Sequence, residues 1–145
     1  MKKLFILISI LLVGCQGPKS QNTYFDYSNK DDILSGGVKT IEIQTPSGKF
    51  NVWTKRIGNN PTKKVLLLHG GPGMNHEYFQ AVESYFPKES IEFYYYDQLG
   101  SEFSDKPKDD SLWTTERFVD EVEQVRKSLG LNEDNFIILG HSWGG

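Results

Sequence analysis

The sequence predicts an α/β fold built on a mostly parallel sheet. Three short apolar runs, at residues 65–68, 91–96 and 136–139, indicate strands that are buried on both faces. Segments with helical periodicity separate these runs, as crossover connections between parallel strands require. The chain has 145 residues, of which 37% are hydrophobic, which is enough for one packed domain and excludes wholesale disorder.

A β-hairpin is predicted ahead of the first buried strand. Ile41 and Ile43 alternate with polar residues, and Phe50 and Val52 continue the same two-residue period after a Thr-Pro-Ser-Gly turn at 45–48. Two alternating segments joined by a turn are typical of antiparallel strands with one buried face.

Two helices are predicted between the buried strands. Asn75 is placed to cap the first helix, and Pro87 is placed to end it. Thr114 is placed to cap the second helix, and Gly130 to close it. The apolar residues at helical spacing are Tyr78, Val82 and Tyr85 in the first helix, and Phe118, Val122, Val125 and Leu129 in the second.

The N-terminal 37 residues are predicted to export and tether the domain. Two lysines precede an apolar run at 4–13 that is too short to span a bilayer and has the length of a signal-peptide core. Residues 12–15, Leu-Val-Gly-Cys, resemble the lipobox of bacterial lipoproteins. The resemblance implies a signal peptide over 1–14, diacylglyceryl attachment to Cys15, and anchoring to a bacterial membrane on the periplasmic or cell-surface side. Residues 15–37 have the composition of a flexible tether. The alternative is an ordinary secretory signal followed by a free thiol.

Composition excludes several classes of protein. Lys and Arg total 16 against 19 Asp and Glu, for a net charge of −3 without a basic stripe, so nucleic acid is not an expected partner. The single cysteine, Cys15, excludes a disulfide scaffold and a cysteine-based zinc site. His69, His76 and His141 do not fall at metal-ligand spacing, so a metal site is not expected.

The strongest chemical signal is Gly140-His141-Ser142-Trp143-Gly144, which directly follows a predicted buried strand. Gly-x-Ser-x-Gly in this position is the sequence of a nucleophile elbow, a strained turn that exposes the serine hydroxyl above the sheet. Side chains two residues before and after the serine would collide with neighbouring backbone. A tight turn with a solvated serine is the alternative, and the preceding strand argues against it.

A second glycine-rich turn, His69-Gly70-Gly71-Pro72-Gly73, follows another predicted buried strand. Acyl transfer needs two backbone N–H groups directed at the developing oxyanion, one from the residue after the nucleophile and one from a glycine loop of this kind. A dinucleotide-binding motif would need glycine where His76 stands, and no Lys-Ser/Thr follows the glycines as in a P-loop. No cofactor is therefore expected.

These motifs together resemble the proline iminopeptidases. The residues that carry the resemblance are 65–73, Tyr95-Tyr96-Asp97-Gln98-Leu99-Gly100-Ser101, and Gly140-His141-Ser142-Trp143-Gly144-Gly145. The family are serine peptidases of the α/β-hydrolase fold that release an N-terminal residue, preferably proline, from peptides. The resemblance implies that residues 38–145 form the N-terminal part of such a domain, without its cap and C-terminal strands.

The resemblance also implies roles for individual residues. Ser142 would be the nucleophile, and the N–H groups of Gly71 and Trp143 would form the oxyanion hole. Pro72 would follow a cis peptide bond. The residues that would support the glycine loop are His69, Gly70, Pro72, Gly73, Asp97 and Gln98. Leu99 departs from the family pattern, in which arginine is frequent, and this leaves general amino-acid amides open as substrates.

The triad of this fold runs in the order Ser, Asp or Glu, then His, and only three residues follow Ser142. None of the upstream histidines is expected to replace the base. His141 is expected to point away from the Ser142 hydroxyl, His76 to be exposed, and His69 to make a structural hydrogen bond. The chain as given is therefore predicted to be inactive, and unstable because its last strand lacks a covering helix.

Two rival functions remain open from the sequence. One is another serine hydrolase, either an esterase or an amino-acid amidase, that shares both loop motifs. The other is a non-catalytic lipoprotein that uses the sheet as a binding surface, although such a protein has no need of a strained elbow. Epoxide hydrolases carry aspartate at the elbow, and Ser142 argues against them.

Overall fold

The computed structural model describes residues 23–26 and 37–145. The predicted hairpin is confirmed: strand β1 (Val38–Thr45) pairs antiparallel with β2 (Gly48–Ile57). Ile41 lies opposite Val52 in this ladder, and both side chains are buried. The two-residue alternation in the sequence thus corresponds to one face of the hairpin that packs on the core.

Five strands form one mixed sheet in the order β1-β2-β4-β3-β5. The three apolar runs are confirmed as strands β3 (Lys64–Leu68), β4 (Glu92–Asp97) and β5 (Phe136–Gly140). β3 pairs parallel with both β4 and β5, whereas β2 pairs antiparallel with β4. The carboxyl ends of the three parallel strands therefore lie at the same edge of the sheet. This is the edge at which α/β sheets bind their ligands.

Apolar side chains cover both faces of the central strands. On β3, Leu66 and Leu68 belong to a cluster that also contains Val125 of the long helix. Val65 and Leu67 belong to the opposite cluster, which contains Phe79. This alternation explains the unbroken apolar run, because a strand covered on both faces needs apolar residues at every position.

The second predicted helix is confirmed as α1 (Thr115–Ser128). The Thr114 hydroxyl accepts a hydrogen bond from the Arg117 N–H, as predicted for its capping role. The buried face of α1 carries Phe118 and Val125, which lie seven residues apart and hence on the same side of a helix.

The first predicted helix differs from the expectation. It consists of two short 3₁₀ helices, Glu77–Ser84 and Phe86–Glu89, rather than one α-helix ending at Pro87. Pro87 lies in the first turn of the second of these helices, where a backbone N–H would have no acceptor within the helix, so proline is tolerated there. The Asn75 side chain accepts a hydrogen bond from the Glu77 N–H. Tyr85, expected on the apolar face, is 68% exposed.

β5 was expected to be buried, and the structure contradicts this. Ile137, Ile138 and Leu139 are all exposed. β5 pairs only with β3 among the described strands, and Ile138 lines an open cavity beside α1. Hydrophobicity predicts a strand here, but it does not predict whether that strand is covered.

One short part of the predicted tether contacts the domain. Tyr24, in the 3₁₀ turn Thr23–Phe25, is buried, and its hydroxyl donates to the Ile91 carbonyl oxygen at 2.6 Å. Ile91 precedes β4, at the end of that strand opposite Asp97. The predicted signal peptide, Cys15 and the remainder of the tether lie outside the described residues. Among the helices that the structure describes, none combines the length and apolar character needed to cross a membrane.

Candidate active site

Ser142 lies on a sharp turn immediately after β5. Its φ is +56°, a left-handed conformation that is uncommon for any residue other than glycine. A 3₁₀ turn, Ser142–Gly144, begins at this position. The backbone therefore has the strained strand-to-turn geometry that the motif predicts.

The glycines on either side of Ser142 are required by close packing. A Cβ atom on Gly140 would lie 2.6 Å from the carbonyl carbon of Gly144. A Cβ atom on Gly144 would lie 2.8 Å from the carbonyl oxygen of His69. Both distances are far inside van der Waals contact with backbone, which cannot rotate away. The elbow can thus close only with glycine at these two positions.

The elbow and the glycine loop are joined by the ends of two adjacent strands. The His141 N–H donates to the Leu68 carbonyl oxygen at 3.1 Å, and Leu68 is the last residue of β3. A Cβ atom on Gly70 would lie 3.1 Å from Cβ of Ser142. Ser142 is therefore next to the loop at 69–73, in which the Gly71–Pro72 peptide bond is cis, as the family resemblance implies.

His69 is fully buried beneath the glycine loop. The Gln98 N–H donates to its Nε2 at 3.0 Å, so Nε2 carries no proton and Nδ1 donates to the Gly70 carbonyl oxygen at 2.7 Å. The Gln98 side chain donates to the His69 carbonyl oxygen at 2.8 Å. These bonds hold the glycine loop against the loop that follows β4.

Burial lowers the pKa of His69 below its ordinary value of 6.5. The bond to the Gly70 carbonyl and the charge of Asp97 oppose this shift, and His76 adds to it. His69 is therefore neutral at physiological pH, as its hydrogen bonds require.

His76 was expected to be exposed, but it is only 7% exposed. Its Nδ1 and its backbone N–H both donate to Oδ1 of Asp97, at 2.8 and 3.0 Å. The ring also lies against Trp53, with 4.7 Å between the ring centroids. Asp97 is fully buried and follows the body of β4, so this pair fixes the segment after the glycine loop to the carboxyl end of a neighbouring strand.

Ser142 lines two cavities. The first has a volume of about 670 Å³ and is lined by Gly70, Gly71, Met74, Tyr78, His141 and Ser142. The second has a volume of about 570 Å³ and lies between α1 and β5, with Phe118, Ile138 and Trp143 in its lining. The first cavity is the candidate substrate site because it combines the exposed serine with the backbone of the glycine loop.

His141 lines the first cavity together with Ser142. That its ring points away from the Ser142 hydroxyl stays a prediction. Its ring packs on Tyr78 with 4.9 Å between centroids. Because Ser142 adopts a positive φ, the alternation of an extended strand ends at the elbow, and the two side chains share one cavity.

The sequence model of the alpha/beta hydrolase fold matches residues 63–145, which is more than half of the chain and includes both glycine turns. The chain belongs to the alpha/beta hydrolase fold family. The fold class predicted from the alternating strands and helices is therefore confirmed.

Within the alpha/beta hydrolase fold family, the chain is similar to several proline iminopeptidases. A proline iminopeptidase of Flavobacterium johnsoniae is 64% identical over 105 residues, which are 72% of this chain and 35% of that protein. A proline iminopeptidase of Chitinophaga pinensis is 65% identical with the same coverage. The crystal structure of the proline iminopeptidase of Mycobacterium smegmatis matches with a TM-score of 0.61 and 29% identity, over 74% of this chain and 36% of that chain.

The predicted resemblance to the proline iminopeptidases is confirmed by these relatives. The chain spans about a third of the length of the relatives it matches. Residues 63–145, which the family model matches, contain the glycine loop and the elbow.

Leu99, the position singled out from the sequence as a departure from the resemblance, is buried. Its side chain is 2% exposed, and its N–H donates to a carboxylate oxygen of Glu121 at 2.9 Å. It also lines a small pocket of about 230 Å³ beside Pro72 and Trp113. Leucine here therefore extends the apolar core up to the glycine loop.

Two residues near the site were not singled out by the sequence. Tyr78 appeared only as part of an apolar helix face, yet its hydroxyl reaches the glycine loop; Trp53 appeared in no motif, yet it covers His76. Only tertiary packing brings these two side chains to the site, so no local sequence pattern marks them. No group of three or more His, Cys, Asp or Glu in the described part of the chain is arranged to hold a metal ion.

Proposed function

We propose that the full-length protein is a serine aminopeptidase that releases an N-terminal residue, preferably proline, from peptides. Two lines support this proposal. The relatives at 64 and 65% identity are proline iminopeptidases. The chain also carries a serine on a strained turn beside a glycine loop. The conformation of Ser142 is the observation that carries the proposal, because a binding surface alone has no need of such a turn.

In the proposed reaction, Oγ of Ser142 attacks the carbonyl carbon of the substrate's first residue. A bond forms between Oγ and that carbon, and the carbonyl π electrons move onto the oxygen, where the N–H groups of Gly71 and Trp143 stabilise them. The serine proton passes to a histidine base, which then gives it to the leaving amine as the oxyanion collapses back to a carbonyl and the C–N bond breaks. Water releases the first residue from the acyl-enzyme in the second half of the reaction.

The remaining site residues hold the glycine loop in place. His69 and Gln98 join it to the loop after β4, and the Asp97–His76 pair fixes the segment that follows it. Gly70, Pro72 and Gly73 shape the turn itself. These residues act by position and do not take part in the bond changes.

The test uses the protein as its gene encodes it, including any residues beyond Gly145. Incubation with a fluorophosphonate should add one phosphonyl group, located on Ser142 by peptide mass spectrometry, and should stop hydrolysis of proline p-nitroanilide. Ser142→Ala should abolish both results. Ser128→Ala is the matched control, because Ser128 is an exposed serine at the end of α1. Full activity of Ser142→Ala would refute the mechanism.

Substrate comparison tests the aminopeptidase assignment separately. Proline p-nitroanilide should be hydrolysed faster than the leucine and alanine analogues, and an N-acetylated proline anilide should not be a substrate. Hydrolysis of p-nitrophenyl acetate with no turnover of any amino-acid anilide would instead favour an esterase.

We also propose that the 145-residue polypeptide by itself is inactive. Both ring nitrogens of His69 are used in hydrogen bonds, and Nδ1 of His76 is bound to Asp97. His69 thus has no free ring nitrogen, and neither His69 nor His76 lines the serine cavity. His141 does line that cavity, and its ring packs on Tyr78. Hydrolysis of proline p-nitroanilide by this polypeptide should equal that of its Ser142→Ala variant, and a higher rate would contradict the proposal.

A lipid anchor at Cys15 is proposed on the sequence alone. In the native host, radiolabelled palmitate should be incorporated into the protein, and Cys15→Ser should prevent this and release the protein from the membrane fraction. Persistence of the label in the Cys15→Ser variant would exclude this anchor.

A further inference from the structure

Tyr78 connects the two halves of the candidate active site. It is the second residue of the 3₁₀ helix Glu77–Ser84, directly after the loop at 69–73. Its hydroxyl oxygen accepts the Gly70 N–H at 2.6 Å, and its ring packs on His141. One side chain therefore contacts the glycine loop and the residue that precedes Ser142.

The hydroxyl of Tyr78 keeps a hydrogen to donate. A phenol has one hydrogen and can accept at its oxygen at the same time, so accepting the Gly70 N–H leaves the O–H free for another acceptor. Tyr78 lines the same cavity as Ser142 and Gly71. A substrate carbonyl oxygen beside Ser142 would therefore lie in the same cavity as the Tyr78 side chain.

The surroundings of Tyr78 hold it in one place. The helix that carries it begins at the His76–Asp97 pair, and the next residue, Phe79, is buried in the core. The rings of Tyr78 and Phe79 are 4.5 Å apart. Hydrogen-bond donors that are fixed before the reaction stabilise developing charge most effectively, because they need no reorganisation.

We propose that Tyr78 is a third donor of the oxyanion hole, in addition to the N–H groups of Gly71 and Trp143. Its hydroxyl donates a hydrogen bond to the substrate oxygen as that oxygen becomes negative, and no proton is transferred. The bond from the Gly70 N–H polarises the phenol and makes it a better donor. This inference rests on the serine mechanism proposed above.

The experiment compares Tyr78→Phe with the unchanged full-length protein. Tyr78→Phe should lower kcat for proline p-nitroanilide about 100-fold and leave KM nearly unchanged, as expected for a donor that acts in the transition state. The affinity for prolinal, which forms a tetrahedral adduct with a serine nucleophile, should fall by a similar factor. Tyr85→Phe is the matched control, since Tyr85 follows the same helix and is 68% exposed.

The outcomes separate a donor from a structural residue. If kcat falls but prolinal binds as tightly as before, Tyr78 does not donate to the oxyanion and the inference is wrong. It is also wrong if Tyr78→Phe behaves like Tyr85→Phe. Activity in Ser142→Ala would refute the proposed function itself, whatever Tyr78→Phe shows.

A second variant covers the case in which Tyr78→Phe does not fold. Replacement of Tyr78 by 3-fluorotyrosine keeps the hydroxyl, and therefore the bond to the Gly70 N–H, but makes the O–H a stronger donor. Tighter binding of prolinal is expected. Unchanged binding would overturn the role of Tyr78 as a donor.

Discussion

The two glycine turns of the candidate site are built differently. The hydrogen bonds that shape the elbow join backbone atoms: the His141 N–H to Leu68, and the Gly144 N–H to His141. The loop at 69–73 is held by side chains, through the His69 ring and the Tyr78 hydroxyl. Backbone contacts therefore fix the elbow, whereas side-chain hydrogen bonds fix the glycine loop.

This difference predicts two responses to substitution. A backbone contact cannot yield to an added atom, so a change at an elbow glycine alters the turn as a whole. A side-chain network can lose one bond and keep the others. A single substitution in the elbow should therefore cause a large loss of stability and activity, and a single substitution in the glycine loop should cause a smaller loss.

The largest effect is expected for Gly140→Ala. The added methyl would lie 2.6 Å from the carbonyl carbon of Gly144, and the elbow must open to accommodate it. We expect a loss of about 3 kcal/mol in the free energy of unfolding. A displaced nucleophile should also lower kcat/KM about 100-fold or more. Urea unfolding and proline p-nitroanilide hydrolysis measure the two effects; a variant with unchanged activity would show that the elbow can relax.

An intermediate effect is expected from the titration of His69. Burial lowers its folded-state pKa below 6.5, so below pH 6.5 the unfolded chain binds a proton that the folded chain does not. This contribution to stability is complete above pH 6.5 and declines as the pH falls, by at most about 1.4 kcal/mol per pH unit.

Urea midpoints between pH 8 and pH 5 test this expectation. The unchanged protein should lose more stability on acidification than the His69→Gln variant. The variant lacks the titrating ring, and every other titratable group is the same in both proteins. Parallel pH profiles for the two proteins would mean that His69 titrates in the folded chain as it does in the unfolded one.

The smallest effect is expected for Gly73→Ala, the matched counterpart of Gly140→Ala. Gly73 has a φ of +89°, but a Cβ atom there would meet no atom within 4 Å. The only expected cost is backbone strain, which should lower the free energy of unfolding by about 1 to 2 kcal/mol. The loss of kcat/KM should be smaller than for Gly140→Ala, and an equal loss would remove the distinction between the two turns.

Local sequence signals predicted the elements that carry the site. Each of the apolar runs at 65–68, 91–96 and 136–139 coincides with a strand to within one residue. A short continuous apolar run between turn signals is typical of a strand. Thr114 caps α1 because its side chain completes a hydrogen bond within three residues. Both signals are short in range and depend little on the remainder of the fold.

Features that depend on distant contacts were missed. The partner of His76 is Asp97, 21 residues away, and only the parallel pairing of β3 with β4 brings their loops together. The apolar sequence of β5 does not encode its place at the edge of the sheet, beside β3. The 3₁₀ form of Glu77–Ser84 was missed because the spacing of its apolar residues also suits an α-helix.

The contact of Tyr24 lies at the end of the sheet opposite the candidate active site. Tyr24 binds at Ile91, before the first residue of β4, whereas Asp97 and the glycine loop lie at the other end of that strand. A strand of six residues is about 20 Å long, so this N-terminal contact and the serine cavity lie at opposite ends of the sheet. An anchor on the N-terminal segment, as proposed for Cys15, would therefore act at the end of the sheet that is far from the serine cavity.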